Sequence, residues 1–304
     1  MLNSVVPIFA LIALGCLLKR LSMIDDAFLQ VSDRLVYFIF FPALLFWKIG
    51  KPAPSLGLDA NLVTVTTGAV IIVFVLSLVF VYAARVPDRD VGAFCQGCFR
   101  FNTYIGIAVI LAVLGESAVR VFGVLVGILI PLINVMAVST LIWFSGESYS
   151  WSERLRMLVI SIISNPLIIA CALGMAYSQL RMPFPVFIDN TLAFMSMLAL
   201  PMALISIGGS LTLAKLGGHL RLALVATVFK FVVMPVTGYL LIKLFNVPGT
   251  AACIAMIYFA LPTSPANYIL SQQLHSNPDL AGSAIILSTI LSIVSISVVL
   301  LLFC

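Results

Sequence analysis

The sequence predicts an all-α membrane protein of ten transmembrane helices, built as two five-helix repeats that insert with opposite orientation. Three observations carry this expectation. The 304 residues are 62% hydrophobic and only 9% charged, with a mean hydropathy of +1.22. A soluble domain holds about 25% charged residues, and no soluble core hides this much apolar surface from water. Apolar stretches also follow one another along the whole chain, and at about 20 residues per spanning helix ten of them leave no room for a folded soluble domain. Finally, the first half recurs in the second at a constant offset.

The first five stretches run over 3–19, 33–50, 61–84, 91–114 and 118–145, and the second five over 155–180, 185–214, 221–245, 249–273 and 280–303. They are too long, and too uniformly apolar, for the alternating strands of a barrel, so each is read as a helix. The first ends in Lys19-Arg20 without a basic leader or a small-residue cleavage site, which fits a retained span rather than a signal peptide. The second and seventh carry Pro42 and Pro201, where kinks are expected. The third has no interruption. The fourth holds Arg100, Asn102, Thr103 and Gly106, and the fifth holds Pro131 and Asn134. Only Glu147 to Arg154 separates the fifth from the sixth, which contains Asn165-Pro166. The eighth contains Lys230, and the ninth contains Pro262, Thr263, Ser264, Pro265 and Asn267. The tenth is apolar almost throughout.

Charge collects in the connections. With the N-terminus outside, nine basic residues fall in inner loops, among them Lys19, Arg85, Arg154 and Lys215, against five in outer loops. That bias predicts both termini outside and accounts for the net charge of +5 without a nucleic-acid partner.

The repeat is read from paired residues. At an offset of 159, Pro7 matches Pro166, Gly15 matches Gly174, Leu21 matches Leu180 and Met23 matches Met182; the same offset pairs Pro42 with Pro201 and Gly50 with Gly209. An odd number of spans per repeat forces the halves to insert oppositely, as in secondary transporters. The expected units are an N-terminal repeat over 1–148 and a C-terminal repeat over 149–304.

Such carriers bind near the midplane, on helices broken there. Pro262 and Pro265 lack the amide hydrogen and open the ninth segment; in the fourth, the break is assigned to Gly97, Asn102 and Gly106. Asn102, Thr103, Thr263, Ser264 and Asn267 are the candidate substrate contacts, because their side chains satisfy either freed backbone groups or a ligand, and half-helix N-termini attract an anion. The alternative is that these residues merely kink packed helices. Arg100 and Lys230 are the embedded charges. Each is read either as drawing an anion to the break or as a structural cation, Arg100 by snorkelling to an interface and Lys230 by bonding a neighbouring helix. Asn134 is a polar group for a neighbouring helix or the edge of the site.

Other chemistry has no support. No G-x-x-x-x-G-K-[ST] loop, Ser/His/Asp arrangement or H-E-x-x-H run occurs, so neither ATP coupling nor an enzyme is expected. Cys95 and Cys98 form a C-x-x-C match without a second ligand pair; they, with Cys16, Cys171, Cys253 and Cys304, are expected to be packing residues rather than disulfides. No metal or cofactor is expected, and coupling to H+ or Na+ is left unassigned. No acidic pair marks a midplane proton or sodium site, with Asp33, Glu116, Asp189 and Asp279 near span ends.

Several stretches together resemble one family. These are Tyr37 to Phe46 (YFIFFPALLF), Phe99-Arg100-Phe101-Asn102-Thr103 with Ile105-Gly106, Ser164-Asn165-Pro166-Leu167, Leu200 to Leu211 (LPMALISIGGSL), and Phe229-Lys230 before Pro235. Over essentially the whole chain the sequence resembles the auxin efflux carrier family, which includes plant PIN auxin exporters and bacterial malonate or malate carriers. The resemblance implies a sodium/bile-acid-symporter-like or NhaA-like architecture with helices 4 and 9 crossing at their breaks. It also implies a scaffold of spans 1, 2, 6 and 7 that pairs into a homodimer, and a transport domain of spans 3–5 and 8–10. Asn102 and Asn267 would flank the substrate. The family's proline in the first crossover is not evident here, and the long cytosolic loop of plant members is absent between spans five and six. The expected function is elevator-type secondary transport of an organic anion, an auxin-like carboxylate or a small dicarboxylate such as malate or malonate, in a bacterial inner membrane. A cation/proton antiporter of similar fold and a non-transporting membrane sensor are the alternatives.

Overall fold

The computed structural model describes residues 2–51, 59–146, 150–211 and 219–304; Lys215 and Glu147, placed above in connections, lie outside them. Every element among the described residues is helical. In chain order these are α1 (Leu2–Arg20), α2 (Asp26–Leu35), α3 (Phe41–Gly50), α4 (Ala60–Ala84), α5 (Asp88–Phe99), α6 (Thr103–Phe144) and α7 (Trp151–Ile163). They continue as α8 (Pro166–Gln179), α9 (Val186–Ser210), α10 (Leu220–Val228), α11 (Met234–Leu244), α12 (Gly249–Ala260), α13 (Ala266–Gln273) and α14 (Pro278–Phe303). Among the described residues, six helical segments are long and apolar enough to cross a membrane. A seventh is counted if α7 and α8, bent by 55° at Asn165-Pro166, form one span.

The ends of these helices have local causes. Asp25 caps α2 by accepting from the Phe28 amide at 2.7 Å, and Asp59 caps α4 by accepting from Asn61 at 2.8 Å. Asn165 caps α8, whose first residue is Pro166, where a missing amide hydrogen costs nothing. The long α6 is broken by Gly115, whose φ of +79° is left-handed backbone that glycine adopts without a Cβ penalty. That break falls between the fourth and fifth apolar stretches.

Two π-helical turns, Val36–Phe40 and Phe229–Val233, run directly into α3 and α11, each of which carries a proline (Pro42, Pro235) in its first turn. The proline ring clashes with the carbonyl four residues back and leaves it without a donor, and a widened turn relieves both. Pro201 behaves differently from Pro42, because α9 runs as one α-helix from Val186 to Ser210 around it.

Element lengths recur in order. The segments Asp26–Gly50 and Val186–Ser210 are 25 residues each, as are Ala60–Ala84 and Leu220–Leu244. Helices α5 and α12 are 12 residues each, and both stop at non-helical backbone.

The chain divides into two compact units. The first comprises Met1–Leu58, Ile107–Ile130 and Ile163–Leu211. Within it α1 lies against α9 at backbone distance: a Cβ on Gly15 would stand 2.0 Å from the Ile205 carbonyl oxygen, and one on Gly208 1.9 Å from that of Ile12. Small residues let membrane helices approach this closely. Lys48, buried on α3, donates to Glu116 at 2.5 Å, and Trp47 donates to Asp189 at 2.6 Å.

The second unit comprises Asp59–Gly106, Pro131–Ile162 and Thr212–Cys304. Here α14 packs against α5, α10, α12 and α13. One cysteine expectation is corrected. Cys253 on α12 and Cys304 at the end of α14 form a disulfide, because α14 brings their Cα atoms within 5.3 Å. Cys16, Cys95, Cys98 and Cys171 are free thiols, the last three buried.

Candidate functional site

All residues singled out for binding lie in the second unit. Two helix interruptions meet there. Helix α5 ends at Phe99 and α6 starts at Thr103, leaving Arg100 to Asn102 extended; α12 ends at Ala260 and α13 starts at Ala266, leaving Leu261 to Pro265 between them. The Asn102 amide donates to the Pro262 carbonyl at 2.8 Å, so the two breaks are hydrogen-bonded to each other.

The break after α12 follows from Pro262 and Pro265, which supply no amide hydrogen. Of the three residues to which the break after α5 is assigned, two do not make it. Gly97 and Gly106 are both helical, within α5 and α6. The interruption is made by Asn102, whose Oδ1 accepts from the amides of Tyr104 at 3.0 Å and Ile105 at 3.2 Å and so starts a new helix. Gly106 donates its amide to the Asn102 carbonyl in the first turn of that helix. Gly97 serves close approach instead: a Cβ there would lie 3.2 Å from the Ala226 Cβ, and its carbonyl accepts from the Thr263 hydroxyl at 2.9 Å.

Most of the candidate polar side chains are occupied in holding this geometry. The Thr263 amide donates to the Ser288 hydroxyl of α14 at 3.0 Å. Asn267, fully buried within α13, donates through Nδ2 to the Ala93 carbonyl at 3.0 Å and accepts from Ser271 at 3.2 Å. Ser264 accepts from the Ala266 amide at 3.3 Å. Thr103 is buried at the first residue of α6. Asn102 is the exception. It is fully buried, and its Nδ2 has no hydrogen-bond partner among the described residues.

Arg100 follows α5, where the helix dipole favours a cation. Its guanidinium donates to Asn134 Oδ1 at 2.8 Å and to Gln96 Oε1 at 3.2 Å. Arg100, Asn134 and Gln96 thus form one buried network, with Asn134 acting on the arginine. Lys230 lies in the π turn that opens into α11, and it is fully buried.

Gln96, Tyr258, Ser288 and Thr289 are absent from the residues picked out in the sequence. Each is a polar group within an otherwise apolar stretch, the one signal the sequence carries for them. Tyr258 Oη and Thr289 Oγ1, like Asn102 Nδ2, are buried without a hydrogen-bond partner among the described residues. Aromatic rings line the same region, Phe101 lying 4.7 Å from Tyr258 and edge-on to it.

The chain matches the model of the membrane transport protein family in two stretches, residues 1–153 and 150–300. It is 21% identical over 302 residues to the uncharacterized transporter MJ1031 of Methanocaldococcus jannaschii, covering 97% of this chain and 96% of that one. With the family model matched from end to end, the chain belongs to the membrane transport protein family, that of the auxin efflux carriers.

Proposed function

We propose that this membrane transporter is a secondary carrier of organic anions that works by elevator-type alternating access. The observation that supports the reading best is the unpartnered Asn102 Nδ2, a buried donor at the junction of two interrupted helices. A buried polar group without a partner is destabilising and persists where a ligand completes it. No aspartate or glutamate is buried among the described residues, which favours an anion as cargo over cation/proton exchange through a carboxylate.

In this reading the chain crosses the membrane ten times in two inverted repeats, with both termini outside a bacterial inner membrane. The recurring element lengths favour it. Spans 1, 2, 6 and 7 form the scaffold and pair into a homodimer, and spans 3–5 and 8–10 carry the substrate. Asn102 donates to the carboxylate, Thr103 and Ser264 border it, and Thr263, Asn267, Pro262 and Pro265 maintain the break.

The test is uptake of labelled indole-3-acetate, malonate and malate by purified protein in liposomes. At least one should accumulate above protein-free vesicles. Movement of none of them, or sodium flux that follows a pH gradient, would sink the organic-anion assignment.

A further inference from the structure

Among the described residues, three cationic side chains are buried: Lys48, Arg100 and Lys230. Lys48 meets the Glu116 carboxylate, and Arg100 meets two amide oxygens. The Lys230 side chain is fully buried, and its Nζ has no hydrogen-bond partner among the described residues. Its π turn packs against α5 and α12, the two helices that stop at the breaks. Its Nζ lies 6.0 Å from the centroid of the Tyr258 ring, whose neighbour Phe101 precedes Asn102.

Four unpartnered polar atoms therefore belong to the elements that build one junction: Asn102 Nδ2, Lys230 Nζ, Tyr258 Oη and Thr289 Oγ1. Thr289 follows Ser288, which holds the Thr263 amide. Two of the four only donate hydrogen bonds, and the two hydroxyls donate as readily as they accept. A cationic ligand would face the lysine, whereas groups that donate suit an anion.

We propose that Lys230 is a counter-charge held without a partner for the transported anion, so that it destabilises the empty protein and is neutralised only when the anion binds. The proposal rests on the anion-carrier reading and assigns the binding charge to a residue outside both breaks. A buried charge with no partner is among the most costly groups a fold can keep, and an apolar replacement of similar volume removes that cost. Function and stability at position 230 are then opposed. A merely structural lysine predicts the reverse, because removing it would weaken the empty protein.

Thermal unfolding of the full-length protein in detergent, with and without indole-3-acetate, malonate or malate, separates the two. For the native protein at least one anion should raise the melting temperature by mass action. Lys230→Met should melt at or above the native temperature when empty, and should need roughly tenfold or more anion for the same shift. Lys230→Arg should keep the anion response. An empty Lys230→Met protein that melts lower than native, or fails to fold, overturns the proposal, as does a variant that keeps the native anion response. If none of the anions stabilises the native protein, the carrier reading itself fails first.

Discussion

The Asn102 side chain divides its two ends between different tasks. Oδ1 starts α6 by accepting from two amides, while Nδ2 faces no protein acceptor among the described residues. The two tasks can be separated by mutation. Asn102→Asp keeps the capping oxygen and loses the donor, so it should fold and lose anion uptake by roughly a factor of ten, the equivalent of 1.4 kcal/mol. Asn102→Ala should lose uptake and, in addition, about 0.5–2 kcal/mol of stability with the cap. Uptake at the native rate by Asn102→Asp would remove Nδ2 from the binding site. Asn267 looked equivalent in the sequence, but its amide spans from α13 to the Ala93 carbonyl of α5. Its replacement acts on the break before it acts on any ligand.

Between elements, backbone proximity decides what is tolerated. Helices α1 and α9 meet at Gly15 and Gly208, where a methyl group would stand about 2 Å from a carbonyl oxygen of the other helix. Neither backbone has a flexible end to move aside. Gly208→Ala, which raises helix propensity in isolation, should therefore destabilise the protein by about 1–3 kcal/mol through overpacking, read as a lower midpoint of thermal unfolding in detergent. A native or higher midpoint would mean that the two helices part without cost. The same two glycines stood in the sequence as members of an apolar run, with nothing to mark Gly208 as a contact. Pro42 and Pro201 show the limit from the other side. Equivalent in the repeat, one follows a π turn and the other sits inside an unbroken helix, so proline position alone does not dictate the backbone response.

At the scale of the whole molecule, the disulfide bears on orientation. Cys253 and Cys304 are joined, so the start of α12 and Cys304 lie side by side. Disulfides persist on the oxidising side, and the outward C-terminus proposed from the basic-residue count would put this bond there. Intact cells treated with a membrane-impermeant phosphine should expose both thiols to alkylation, and loss of the bond should cost roughly 2–4 kcal/mol. Labelling of both cysteines in cells never exposed to reductant would reverse the orientation.

Much of the architecture was legible in one dimension because the bilayer imposes a length. Spanning helices need about 20 apolar residues, so the apolar stretches fall on helices among the described residues, although only six segments, or seven with the bent α7–α8 pair, are long and apolar enough to cross; even the interruption after α12 could be read from two prolines. The interruption after α5 was legible as Gly97, Asn102 and Gly106, of which only Asn102 makes it. Its cause is a side-chain cap, which depends on how Asn102 folds back onto Tyr104 and Ile105. The candidate site divides the same way. Its residue types follow from sequence, because few polar side chains are placed inside apolar stretches without a reason. Which of them are already satisfied, and which are left open, was decided by tertiary structure alone. Hydrogen bonding is a property of pairs, and the partners of Thr263, Asn267 and Arg100 lie 166, 174 and 34 residues away. Only after those pairs have formed do Asn102 Nδ2 and Lys230 Nζ stand out, with a few hydroxyls, as donors without a partner among the described residues.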